Sequence, residues 1–268
     1  MSTRGFIASD GEQIYFESWG DADETVLLAH GMGGHHAVWY QQVAFLSRLY
    51  QVVTWDQRGF GRSSRHGEAI GPVPAVGDMT RILDHLEVDE AHVIGQSMGG
   101  WAALRFAIER PERSTSLVLA DTTAGIFDDQ IRRTLAEYGE GIASGPTPDE
   151  WPMGFHPAVG TQLLEEDLAQ SFLYGQLGSL TDPPSPLEVI EVLMGTDNTD
   201  RAWEVSVPTL FVVGENDPIF PPSLIEGAAS FIAGSRVAVV GDTGHSPYFE
   251  RPREWNDIVS RFLADSKL

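Results

Sequence analysis

Apolar residues in the first half of the chain fall into short runs parted by turn-forming residues. The runs alternate between two spacings. Thr25–Ala29, Tyr50–Trp55, Ala91–Ile94 and Ser116–Ala120 are compact and rich in β-branched residues, as expected of strands buried on both faces. Glu12–Trp19 alternates imperfectly around Ile14, Phe16 and Trp19, between Asp10-Gly11 and Gly20. It predicts an antiparallel edge strand. Trp39–Leu49 repeats apolar residues at Val43, Leu46 and Leu49, and Met79–Leu86 at Met79, Ile82, Leu83 and Leu86. These spacings predict helices, as does Met98–Ala107, which stops near Pro111. Strand and helix in alternation predict an α/β fold: a mostly parallel sheet covered by helices.

The alternation stops after Thr122. Ile131–Tyr138, Leu163–Leu177 and Leu187–Met194 predict helices, separated by the loops GIASGPTPDEWPMG and LTDPPSP. The strand pattern returns at Thr209–Val213. Ile225–Phe231, a last strand Arg236–Val240 and an amphipathic helix Glu254–Leu263 follow. Residues 1–124 and 202–268 therefore predict a core domain, and 125–201 an inserted helical cap. Aromatic and Met side chains of the cap either line a pocket or fasten the cap to the core.

Ligands of such sheets bind beyond the carboxyl ends of the strands. The residues found there are His30, Asp56, Ser97, Asp121 and Asp217. Ser97 lies in Gly95-Gln96-Ser97-Met98-Gly99, a G-x-S-x-G pattern at a strand-to-helix junction. A sharp turn there projects the hydroxyl into the cleft, and Gly95 and Gly99 allow the close backbone approach that the turn requires. The alternative is a serine that merely caps the following helix.

A serine hydroxyl needs a base. His245, in the turn Gly241–Ser246 after the last strand, is the candidate. His85 and His92 look structural. The base in turn needs an acid to hold its tautomer. Asp217 follows a strong strand, with Glu215 and Asp121 as rivals; only Asp217 suits the familiar order serine, acid, histidine. Backbone N–H groups of Met32, in His30-Gly31-Met32-Gly33-Gly34, and of Met98 are candidates for an oxyanion hole. His30 braces that loop. Trp39, Arg58 and Trp151 are candidates for the pocket, Arg58 more readily as a tie between loops and Trp101 as a core residue.

Composition narrows the chemistry. Acidic residues outnumber basic ones 39 to 17, for a net charge of −22. Such a surface repels nucleic acid and anionic membranes. Cysteine is absent, which excludes disulfides and thiolate chemistry. The first residues lack a signal-peptide pattern and no apolar run is long enough for a membrane helix, so a cytoplasmic location is expected. His35 and His36 resemble a metal pair, but adjacent side chains diverge and no carboxylate cluster accompanies them. No metal site is expected.

These motifs together resemble the α/β-hydrolase family over nearly the whole chain. His30-Gly31 resembles its oxyanion loop, Asp56–Ser63 (DQRGFGRS) its first turn, and Gly95–Gly99 its nucleophile elbow. Asp217 and Gly244-His245 match its acid and base. The resemblance implies an eight-stranded, mostly parallel sheet with helices on both faces, and a helical cap between the sixth and seventh strands. It implies serine catalysis through an acyl-enzyme, with no metal or organic cofactor. The expected partners are water and a small or medium hydrophobic carboxylic ester or lactone. Carbon–carbon bond hydrolysis of a meta-cleavage product and noncatalytic ligand reception are alternatives on the same fold. Oligomeric state is left open.

Overall fold

The computed structural model describes residues 2–67, 69–145 and 150–266. Its strands are β1 (Ser2–Ser9), β2 (Glu12–Trp19), β3 (Thr25–Ala29), β4 (Gln51–Trp55), β5 (Ala91–Gln96), β6 (Ser114–Ala120), β7 (Thr209–Gly214) and β8 (Arg236–Val240). They form one eight-stranded sheet in the order β1-β2-β4-β3-β5-β6-β7-β8. β1, β2 and β4 pair antiparallel and every other pairing is parallel. β3, β5 and β7 are buried along their whole length, as their unbroken apolar runs require.

Helices cover both faces. α1 (Tyr40–Leu46) and α10 (Pro252–Asp265) pack on one, giving a core that holds Leu46, Trp255 and Val259. α2 (Pro72–His85), α3 (Met98–Glu109) and α8 (Pro222–Ala229) pack on the other, with Met79, Trp101 and Ile225 in its core. Between β6 and β7 the described residues form four α-helices and no strand: α4 (Asp129–Ser144), α5 (Thr161–Glu166), α6 (Leu168–Ser179) and α7 (Pro186–Met194). A one-turn helix α9 (Pro247–Glu250) follows β8. Among the described residues no helix is long and apolar enough to cross a membrane.

The structure corrects several boundaries. Glu12–Trp19 is not an edge strand: β1 pairs with it from Ser2↔Trp19 to Ser9↔Glu12. Asp10 and Gly11 both take positive φ, 48° and 87°, as a two-residue hairpin demands. That Asp-Gly signal marks a hairpin, where the spacing alone reads only a boundary. α2 begins at Pro72, a turn or more before Met79, because proline is tolerated in a helix's first turn. The single helix expected over Leu163–Leu177 is two. Asp167 ends α5 and its carboxylate caps α6 by accepting from Gln170 N–H. α8 starts at Pro222 and ends at Ala229, earlier than the expected 225–231. In the loop expected over 141–154, residues 141–144 instead complete α4, and 146–149 lie outside the described residues.

Candidate active site

Ser97 stands between β5 and α3 with φ 49° and ψ −120°. A non-glycine residue held there stores about 1–3 kcal/mol of strain. Its N–H donates to Ala120 O at 2.9 Å, and Gly100 N–H closes the turn onto Ser97 O. A side chain at Gly95 would collide with the backbone of Gly99, and one at Gly99 with the backbone of Ala29 and His30. The turn therefore needs glycine at both places. The hydroxyl does not cap α3. It lies 2.9 Å from His245 Nε2 instead. The turn holds the serine up, and the capping alternative falls.

The rest of the relay is buried. His245 Nδ1 lies 2.8 Å from Asp217 Oδ2, and Asp217 Oδ1 accepts from the N–H groups of Ile219 and Phe220. These two bonds fix the direction of the carboxylate group. The rival acids are placed otherwise. Glu215 is exposed and accepts from Asp242 N–H. Asp121 is wholly buried and accepts from Gly214 N–H through Oδ1, while Oδ2 meets no partner. Burial first, then the charge of Asp217, pushes the Asp121 carboxyl well above its ordinary range.

Opposite Ser97 lies the His30–Gly34 loop. His30 Nε2 accepts from Gln57 N–H and Nδ1 donates to Gly31 O. Both ring nitrogens are committed, and burial lowers its pKa to about 4. The ring ties the loop to Gln57. Gln57 Nε2 also donates to His30 O. Among the described residues no acceptor meets the N–H of Met32 or of Met98.

Comparison with known proteins bears out the fold. Residues 24–252 match the model of the alpha/beta hydrolase fold family. The chain belongs to that family. It is 29% identical over 263 residues to the protein assigned as carbamate hydrolase RutD of Azorhizobium caulinodans, covering 94% of this chain and 95% of the relative. It is 29% identical to 3-oxoadipate enol-lactonase 1 of Acinetobacter baylyi, covering 89% of this chain and 88% of the relative. A thermophilic esterase of Thermogutta terrifontis superposes with a TM-score of 0.80 at 28% identity, covering 98% of this chain and 99% of the esterase.

Not every expected pocket residue of this α/β-hydrolase lies at the cleft. Trp39 is fully buried against Tyr248 and Trp255, where it packs the core. Arg58 grips Asp78 of α2 with two bonds, 2.9 and 2.7 Å, and reaches Asp10, so it ties loops and helix together. Trp101 packs between Phe127 and Phe220. Trp151 stays with the cap, edge-on to His156 and Phe155. A carboxylate does join the two adjacent histidines: Asp56 groups with His35 and His36, with one ligand atom from each inside a 4.8 Å span. Every one of these polar groups already has a protein partner. Asp56 Oδ1 accepts from His36 N–H and lies 2.8 Å from its Nδ1, Oδ2 accepts from Arg62 N–H, and His35 bridges Ala37 N–H to Leu177 O.

Three contributors escape a reading by sequence. Gln96, beside the nucleophile, donates to His245 O at 3.0 Å. Tyr174 of α6 places its hydroxyl 2.8 Å from Ser246 Oγ. Glu250 is buried, and its carboxylate accepts from three backbone N–H groups: Gly244 and Ser246 around the histidine, and Gly160 of the cap. Gly160 and Gly244 touch so closely that a side chain on either would strike the other's backbone. The only sequence signal for Glu250 is an acid five residues after the histidine.

Proposed function

We propose that this chain is a serine hydrolase of small or medium hydrophobic carboxylic esters or lactones, acting through an acyl-enzyme. The single observation that carries the reading is Ser97 Oγ bonded to His245 Nε2 instead of capping its helix. The names of the relatives, an esterase, an enol-lactonase and a carbamate hydrolase, support hydrolysis at an acyl carbon.

In this reading Ser97 Oγ attacks the acyl carbon and gives its proton to His245 Nε2. The carbonyl oxygen, now negative, receives hydrogen bonds from the backbone N–H groups of Met32 and Met98, each such donor worth about 3 kcal/mol in the transition state. Asp217 holds the proton of His245 on Nδ1 and steadies the imidazolium. His245 then protonates the leaving oxygen. A water, deprotonated by His245, attacks the acyl-enzyme, and the proton returns to Ser97 as the acid leaves. His30, Gly31, Gly95 and Gly99 shape the supporting turns. The core comprises 1–124 and 202–268, the cap 125–201, and the reading includes a cytoplasmic location, checked by cell fractionation.

The test is a substrate screen of wild type beside Ser97→Ala and His245→Ala. Expected is turnover of p-nitrophenyl esters or lactones that falls by about 10⁴-fold or more in both variants, with far-ultraviolet circular dichroism unchanged. Normal activity in Ser97→Ala would overturn the covalent route. Selective turnover of an aromatic meta-cleavage dienoate would move the reading to carbon–carbon hydrolysis. Tight binding with negligible turnover would favour a receptor.

A further inference from the structure

Residues 156–160 of the insertion cross directly over the turn that carries His245. Gly160 N–H shares the Glu250 carboxylate with Gly244 and Ser246, and Tyr174 OH meets Ser246 Oγ. His156 begins this crossing. Its ring stands edge-on to Trp151, 5.3 Å between centroids, and to Tyr174, at 4.8 Å. Nδ1 accepts from Ala158 N–H at 3.1 Å. That bond assigns the proton of the neutral ring to Nε2. Among the described residues nothing accepts from this N–H.

The surroundings say what kind of group it awaits. Burial first, and then His245, lowers His156 to about 4, so the ring is an uncharged donor at neutral pH. From α4, Tyr138 is half-buried against the core, and its hydroxyl also lacks a partner among the described residues. Burial, and then the negative Asp217, raises its pKa. The charge that shifts Tyr138 is that of Asp217, and the one that shifts His156 is that of His245. A substrate carboxylate lodged there would be desolvated near the negative Asp217, at high cost. A neutral carbonyl or hydroxyl would be satisfied by one N–H.

Resting on the serine-hydrolase reading above, we propose that His156 Nε2–H is a specificity-determining donor of the cap. It selects acyl groups or lactones that carry a second, uncharged hydrogen-bond acceptor beyond the scissile carbonyl. They are preferred over plain hydrocarbon chains and over carboxylates.

The experiment compares p-nitrophenyl pentanoate, p-nitrophenyl 4-oxopentanoate and p-nitrophenyl hydrogen glutarate, each kcat/KM divided by the rate of hydrolysis by hydroxide. Wild type is expected to favour the 4-oxo ester over pentanoate by about tenfold, the worth of one hydrogen bond. His156→Leu brings that ratio to about one, chiefly through KM, and His156→Gln, which keeps a donor, restores most of it. A ratio unchanged in His156→Leu, or a preference for the glutarate, overturns the proposal. Calorimetric binding of methyl 4-oxopentanoate and methyl pentanoate to Ser97→Ala, with and without His156→Gln or His156→Leu, decides it independently of turnover. If no ester shows serine-dependent hydrolysis, the hydrolase reading falls alone, and the binding ratio still supports or overturns the subsite.

Discussion

On the sheet side of the cleft Ser97 and Asp217 follow buried strands and are fixed by the main chain. On the cap side, attachment runs through side chains that reach across to main-chain groups of the other region. Ser97 is locked by Ala120 O, and Asp217 by two backbone N–H groups. The cap is tied down by Gly160 on Glu250, Leu177 O on His35, and Asn198 Nδ2 on Ala124 O. Its outer surface leaves Phe172, Leu173 and Leu180 exposed, Leu180 by 74%. A strained φ at the nucleophile persists only where the surroundings over-determine it. The sheet supplies that rigidity. The cap is held instead through single side chains such as His35, Asn198 and Glu250.

The widest separation between the regions is expected within the acids of the sheet side. Asp217→Asn leaves the histidine with the wrong tautomer and lowers kcat by about 10⁴-fold. Asp121→Asn keeps an acceptor for Gly214 N–H and stays within about tenfold of wild type. Stopped-flow acylation of both variants checks the pair; an equal fall would move the orienting role to Asp121.

Acid should weaken the sheet side next. The folded chain holds His30 at about 4, below the ordinary histidine value of 6.5. Its neutral form is therefore favoured by folding, and the unfolded chain binds the extra proton first. The contribution is fully present above pH 6.5 and is lost as pH falls from there through about 4. It amounts to about 3 kcal/mol for so buried a ring. Urea unfolding at pH 7, 6, 5 and 4 reads it. His156 shares the direction, so His156→Gln should flatten the curve, and an unaltered slope would place that ring in solvent.

Two smaller effects probe the seam. Glu250→Gln leaves one backbone N–H facing an amide and should cost about 2 kcal/mol of stability. It should lower kcat as well, because the same carboxylate holds the histidine turn. A loss of stability with kcat intact would make Glu250 a brace for the cap alone. Tyr174→Phe removes the hydroxyl's bonds to Ser246 and Tyr248 and should cost about 1 kcal/mol in urea, the least of the series.

The chain's own order of residues determined much of this protein. Alternating buried runs fixed a parallel sheet, since strand and helix periods are local properties. The elbow was legible because its glycines and serine are contiguous, and the positions of Asp217 and His245 were legible because each directly follows a strand. Trp39 was offered for the pocket and packs in the core, because a large side chain near a strand end looks alike whether it turns to the cleft or to the core; Arg58, read more readily as a tie, does tie loop and helix. Chain order already favoured Asp217 over Asp121, and the tertiary structure supplied the contact. Both acids follow strands, and Asp217 meets the imidazole while Asp121 is buried against Gly214. The joining of Gly160, Gly244 and Ser246 on Glu250 depended on the tertiary structure too, as did the placement of His156 over the histidine turn. These contacts join residues up to 90 positions apart, and no local spacing encodes where a cap comes to rest on its sheet.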